Sequence, residues 1–165
     1  MTSEPASADP GGDRLGALAD DAVLGSTGYL LLKAGIHVGQ AIEQAMSELG
    51  LSMRDLLVLS FAAVLEGMSQ QELSDRLGLD PTLVVGLVDG LEERDLVRRE
   101  KDPDDRRRNM VVLTDDGARL RARAIEAADA VQAEYLAPLS DEQRTVLRSM
   151  LFDVMSPRLP WLRSS

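Results

Sequence analysis

Residues Ser69 to Thr114 read SQQELSDRLGLDPTLVVGLVDGLEERDLVRREKDPDDRRRNMVVLT. Ser69 followed by Glu72 makes a capping box, in which the hydroxyl accepts from the Glu72 amide and the carboxylate reaches back to the Ser69 amide. Leu73 and Leu77 fall four apart on one face. Gly78 then supplies the left-handed position that ends a helix. Asp80-Pro81 opens the next one, with Asp80 as N-cap and Pro81 at the first helical position, where a missing N–H costs nothing. Val84, Leu87, Val88 and Leu91 make its buried stripe. Two helices joined by a tight glycine turn match the helix-turn-helix pattern, and equally an ordinary helical hairpin.

The residues after this helix pair decide between the two. Leu96-Val97-Arg98-Arg99 and Asn109 to Leu113 suit two short strands. Between them, Asp102-Pro103-Asp104-Asp105 is turn chemistry, with proline fixing φ and aspartates bonding their own backbone. Arg106, Arg107 and Arg108 come directly after it. Two helices and a β-hairpin with an arginine-rich tip predict a winged helix-turn-helix, a DNA-binding module. The fold class is therefore mainly α with a small two-stranded β-wing.

The same residues resemble the core of the MarR family of bacterial transcription regulators. The resemblance rests on Glu72-Leu73, Leu77-Gly78, Leu87-Val88-Asp89 with Leu91-Glu92, and Leu96-Val97. It extends through Asp102-Pro103 with Asp105-Arg106-Arg107, and Leu113-Thr114 with Gly117. It implies a homodimeric, ligand-responsive regulator, more often a repressor than an activator. It also implies a triangular dimer built by terminal helices.

Composition narrows the alternatives. The chain has 165 residues, 44% of them hydrophobic, and no cysteine, so a disulfide framework, a zinc ribbon and a thiol sensor are excluded. No stretch has the length of a membrane span and no signal peptide is apparent, so a cytoplasmic protein with no membrane partner is expected. One histidine and no phosphate-cradling glycine loop leave no catalytic constellation. Asp102, Asp104 and Asp105 lack the spacing of a calcium loop. Neither an enzyme nor a cofactor or metal site is expected. The net charge of −10 runs against nucleic acid, but the charge is unevenly placed. Arg94 to Arg108 holds seven basic and five acidic residues, and Arg119, Arg121 and Arg123 lie beyond them. A locally basic surface on an acidic body binds DNA in a salt-sensitive way.

Outward from the core stretch, residues 1–13 are rich in Pro, Gly, Ser and Ala and read as a disordered tail. Residues 14–50 read as an N-terminal helical dimerisation region. Its helix, from about Leu15 to Leu49, carries Leu32, Ile36, Ile42, Met46 and Leu49 at helical spacing. Gly25, Gly28, Gly35 and Gly39 interrupt it, which predicts kinks or close helix approaches. The DNA-binding domain is placed at 51–114. It opens with a helix capped by Ser52, with Leu56, Leu59 and Ala63 inward, and Gly67 closes that helix. Residues 115–165 are assigned to C-terminal dimerisation helices. One runs from Thr114-Asp115-Asp116-Gly117 to about Tyr135, where Pro138 breaks it. The other starts at the capping box Ser140/Gln143 and carries Val146, Leu147, Met150, Leu151 and Val154 to about Met155. Trp161-Leu162 form an apolar tail. The terminal helices hold more apolar surface than one winged helix needs, which predicts pairing across a two-fold axis. Such a dimer presents two reading helices to a pseudo-palindrome with half-sites about one turn apart.

The faces of these elements mark the candidate DNA contacts. Ser69, Gln70 and Gln71 stand at a helix N-terminus and can serve the phosphate backbone. The exposed face of the second helix carries Thr82, Val85, Gly86 and Asp89, with no arginine or lysine for guanine. It offers a threonine hydroxyl and methyl contact from Val85 to thymine. In the resembled family an arginine or polar residue often occupies the position of Gly86. Arg98 and Arg99 add charge on the wing strand. An arginine in a narrow minor groove senses A·T-rich shape. By resemblance that residue is Arg107, oriented by Asp105, with Arg106 and Arg108 on flanking phosphates; a plain Asp105–Arg107 hairpin ion pair is the other reading.

Resemblance also implies a small aromatic or anionic effector. Lys33, His37 and Gln40 share one polar face of the first helix and, with Arg54, are the candidate contacts. A surface or interface histidine is the plainer reading of His37. The rival function is a winged-helix dimer that serves a protein partner without specific DNA binding.

Overall fold

The computed structural model describes residues 21–65, 67–102, 105 and 108–159. The tail at 1–13, the apolar Trp161-Leu162, and Arg106 and Arg107 lie outside them. The element order is α1 Thr27–Glu48, α2 Met53–Val64, β1 Met68–Ser69, α3 Gln70–Leu77, α4 Pro81–Glu92, β2 Val97–Lys101, β3 Asn109–Leu113, α5 Asp115–Tyr135 and α6 Asp141–Met155. The chain divides into two compact units, Met1–Gln40 and Ala41–Ser165, with the boundary inside α1.

In the first unit, the expected start of a helix at Leu15 falls outside the described residues, and α1 begins only at Thr27. The cause is local. Asp21 accepts from the amides of Val23 and Leu24, each at 2.9 Å, so its side chain holds a turn. Those amide bonds hold its carboxyl below the usual aspartate value. Ser26 then caps the helix by accepting from Tyr29 N–H at 3.2 Å. Leu30, Leu31, Leu32 and Ile36 are exposed. An alanine methyl at Gly28, Gly35 or Gly39 would meet nothing within 4 Å, so the expected close approach at these glycines is absent among the described residues.

The second unit carries one core. Met46, Leu59, Leu73, Val84, Val88, Leu91, Val97 and Val111 are fully buried. They come from α1, α2, α3, α4 and two strands, so the helix-turn-helix and the wing share a single apolar interior. α2 starts at a Ser52/Asp55 capping box and buries Leu56, Val58, Leu59 and Ala62. The inward alanine is Ala62 and not Ala63, because the buried arc of α2 is centred on Val58 and Leu59. Gly50, with φ +68°, ends α1, and its carbonyl accepts from Arg94 at 2.8 Å.

The wing belongs to a three-stranded antiparallel sheet of order β1-β3-β2, where two strands were expected. β1 is only Met68–Ser69, paired to Val111 and Met110. So short a strand has no period, and Ser69 also caps α3. β2 starts one residue later than its sequence suggests and runs to Lys101, with Arg99 opposite Val111. Leu96 instead lies buried in the α4–β2 turn, after Asp95 at φ +55°. The Thr114 hydroxyl caps α5 by accepting from Gly117 N–H at 3.0 Å and donates to Asp95 O at 2.6 Å. α6 has the expected Ser140/Gln143 capping box and buries none of its residues. Val146, Met150, Leu151, Phe152, Val154 and Met155 are exposed. Among the described residues no helix is long and apolar enough to cross a membrane, and no group of three or more His, Asp or Glu side chains could hold a metal ion.

Candidate nucleic-acid interface

The reading head is built from the turn outward. Gly78 takes φ +63° and ends α3. Ser74, buried inside the motif, donates to Leu79 O at 2.6 Å and so satisfies the inter-helix turn from within. Asp80 caps α4 by accepting from Thr82 N–H at 2.8 Å. Val84, Val88 and Leu91 then face the core and Leu87 is half-buried. Thr82, Val85, Gly86 and Asp89 are exposed, as their spacing predicts. Leu83 is exposed as well, at 54%, beside Val85 at 41%. The sequence reading missed it: Leu83 lies about 100° from Val84 but only about 40° from Leu87, at the edge of the buried stripe.

At the N-terminus of α3, side chains expected to serve phosphates are engaged within the chain. The Ser69 hydroxyl donates to Glu72 Oε2 at 2.5 Å and accepts from Glu72 N–H at 3.3 Å. Gln71 donates to Asp75 at 3.1 Å. Gln70 turns its Nε2 into the interior, where no described group accepts from it. What this end offers a phosphate is the backbone N–H of Gln70 and Gln71, which have no carbonyl partner inside the helix.

Three of the described wing cations, Arg98, Arg99 and Arg108, are also paired. Arg98 meets Glu100 on the strand's outer side. Arg99 crosses to α4 and donates to both Asp89 and Glu92. Burial works against the Arg99 charge, and the two carboxylates outweigh it, so its pKa is raised above the ordinary arginine value. Arg108, at the end of the wing turn, bridges it to α3, donating to Glu72 Oε2 at 3.0 Å and to Ser69 Oγ at 3.3 Å, with Asp102 at 4.0 Å. The Glu72 carboxyl is held below its ordinary value, first by the Ser69 hydroxyl and then by the Ser69 amide, with Arg108 adding to them against a small cost of burial. Asp102 accepts from Asp105 N–H at 3.3 Å, which is the expected aspartate turn. The pairs that join separate elements link residues 7 to 36 positions apart and leave no mark in local sequence.

The effector candidates fall in different units. Lys33, His37 and Gln40 are exposed along one face of α1, and Lys33 sits 5.7 Å over the Tyr29 ring. Arg54 is exposed at the start of α2, in the second unit.

A profile of the MarR family matches residues 49–108. The HTH-type transcriptional repressor Rv2887 of Mycobacterium tuberculosis is 31% identical over 134 residues, spanning 81% of this chain and 94% of the relative. A crystal structure of a MarR-family transcriptional regulator from Rhodococcus sp. RHA1 superposes with a TM-score of 0.73. It is 36% identical and covers 86% of this chain and 99% of its own. The crystal structure of CouR from Rhodococcus jostii RHA1 bound to p-coumaroyl-CoA superposes with a TM-score of 0.72 at 38% identity, over 87% of this chain and 95% of its own.

Proposed function

The chain belongs to the MarR family of transcriptional regulators, and from that premise we propose that it is a homodimeric repressor of a pseudo-palindromic operator, released by a small effector. One observation carries the reading. α6 has an apolar stripe and buries none of its residues, so it presents a surface suited to a second copy. Exposed apolar patches of this extent mark association sites. With residues 14–50 and 115–165 as dimerisation regions, a two-fold axis carries two α4 helices, which is what a palindrome requires. The dimer acts on double-stranded DNA in the cytoplasm and performs no catalysis.

On the DNA, α4 enters the major groove and the wing reaches the adjacent minor groove. Arg107 is the residue assigned to the minor groove, with Asp105 orienting it and Arg106, Arg98 and Arg108 on nearby phosphates. Arg99 has a different part. Its ion pairs with Asp89 and Glu92 offset one of the two negative charges there that would otherwise repel the phosphates.

The effector we propose is both aromatic and anionic, as is the p-coumaroyl-CoA bound to CouR. Lys33, His37 and Gln40 on α1 are its candidate contacts, and Arg54 on α2 is a candidate taken by itself. Such a ligand releases DNA only by binding the released arrangement more tightly than the DNA-bound one.

Selection of bound duplexes from a random pool, scored by fluorescence anisotropy over a salt series, tests the proposal. Enrichment of a palindrome with half-sites one turn apart is expected. Arg107→Glu is expected to abolish binding while leaving the dimer intact, and binding that survives it overturns the groove assignment. The rival reading, a dimer serving a protein partner, draws on the net charge of −10 and requires that no duplex be enriched.

A further inference from the structure

The exposed face of α4 has a definite shape. At 100° per residue, Thr82, Gly86 and Gly90 form its central row. Val85 stands on one side of that row and Leu83 on the other, and both are exposed. The row between them is bare: a methyl added at Gly86 or Gly90 would meet nothing within 4 Å. Leu83 and Val85 are about 160° apart around the helix, so they flank the row and point away from each other. Of the acidic residues along the row, Asp89 is held by Arg99, and Glu93 stands exposed at the helix end. Thr82 supplies the only side-chain hydroxyl.

Bidentate readout of guanine uses Arg or Lys, and of adenine Asn or Gln, and this face has none of the four. The major groove presents one apolar group, the C5-methyl of thymine. We infer that α4 selects its operator through pyrimidine 5-methyl groups, with Leu83 and Val85 each meeting a methyl on its own side of the bare Gly86 row. This rests on the reading that α4 docks in the major groove. It narrows that reading to a chemical group that can be removed from the DNA without touching the protein.

The experiment takes the enriched operator and replaces each thymidine of a half-site, one at a time, by deoxyuridine. At a contacted position binding is expected to weaken about fourfold, the change that burying one methyl (about 0.8 kcal/mol) corresponds to. Substitution in both half-sites is expected to weaken it about fifteenfold. 5-Methylcytosine opposite guanine is expected to bind better than cytosine there. In Leu83→Ala and Val85→Ala, whose side chains are exposed so that folding is not at stake, the difference between thymidine and deoxyuridine is expected to shrink toward none. Equal binding of thymidine and deoxyuridine duplexes at every position overturns the inference and leaves the DNA-binding reading standing. Failure to enrich any duplex overturns both.

Discussion

Gly117 lies in the first turn of α5, and an ideal Cβ built on it falls 1.9 Å from the Leu96 carbonyl oxygen and 2.9 Å from Leu113 Cδ1. An ordinary carbon–oxygen contact is about 3.3 Å or more, so Gly117→Ala must drive α5 and the α4–β2 turn apart by about 1.4 Å. The obstacle is backbone and cannot swing aside. Overpacking of this kind costs about 1–3 kcal/mol. The separation also breaks two bonds that tie the turn to the helix start: Thr114 N–H to Leu96 O at 3.2 Å, and the Thr114 hydroxyl to Asp95 O at 2.6 Å. These contribute about 1 kcal/mol each. Alanine returns up to about 1 kcal/mol in helix propensity. The sum is about 2–4 kcal/mol, or a fall in Tm of about 4–16 °C for a chain of this size. Thermal unfolding followed by circular dichroism at matched protein concentration measures it. Gly86→Ala is the control: its methyl meets open space, so it is expected to hold Tm or raise it. A Gly117→Ala protein that melts within a degree of the parent refutes the close-packing argument.

The ion pairs and the uncovered faces lead to further expected outcomes. Glu72→Gln keeps an acceptor for the Ser69 amide and removes the carboxylate that holds Arg108, so DNA is expected to bind more tightly and with a steeper salt dependence, read by anisotropy. Because the folded Glu72 carboxyl sits below its ordinary value of 4.5, its stabilising effect is present above that value and lost as pH falls through the lower, folded one. The melting difference between parent and Glu72→Gln is therefore expected to change in acid, below about pH 4.5, and a difference constant with pH would exclude this role. Ser74→Ala leaves the Leu79 carbonyl without its buried donor and is expected to cost about 1–3 kcal/mol in denaturant unfolding. Met150→Glu puts a charge in the exposed stripe of α6 and is expected to yield a folded monomer by light scattering, with operator affinity lost; a dimer that persists would remove α6 from the interface.

Much of this fold was legible because its punctuation is local. The caps at Ser52, Ser69, Asp80, Thr114 and Ser140 each act within three residues, and the structure has all five. The exposed face of α4 was legible for a similar reason, since helical period alone separates Thr82, Val85, Gly86 and Asp89 from Val84 and Val88. β1 was not legible, because two residues carry no period and its pairing comes from β3, some forty residues on. Nor was the start of α1, where the Asp21 turn outcompetes an otherwise helical composition.

Sequence by itself determined the helix boundaries set by caps and glycines, the helix-turn-helix with its wing, and the family. These depend on interactions between residues a few positions apart. Tertiary structure alone decided which charges are neutralised. It joined Arg99 to Asp89 and Glu92, and Arg108 to Glu72, through side chains brought together from separate elements. It also left Leu83 outside beside the half-buried Leu87, and it set Gly117 against the Leu96 carbonyl. The physical reason is the same in each case. A cap or a period is a property of one element, whereas neutralisation, exposure and close approach exist only once two elements have packed.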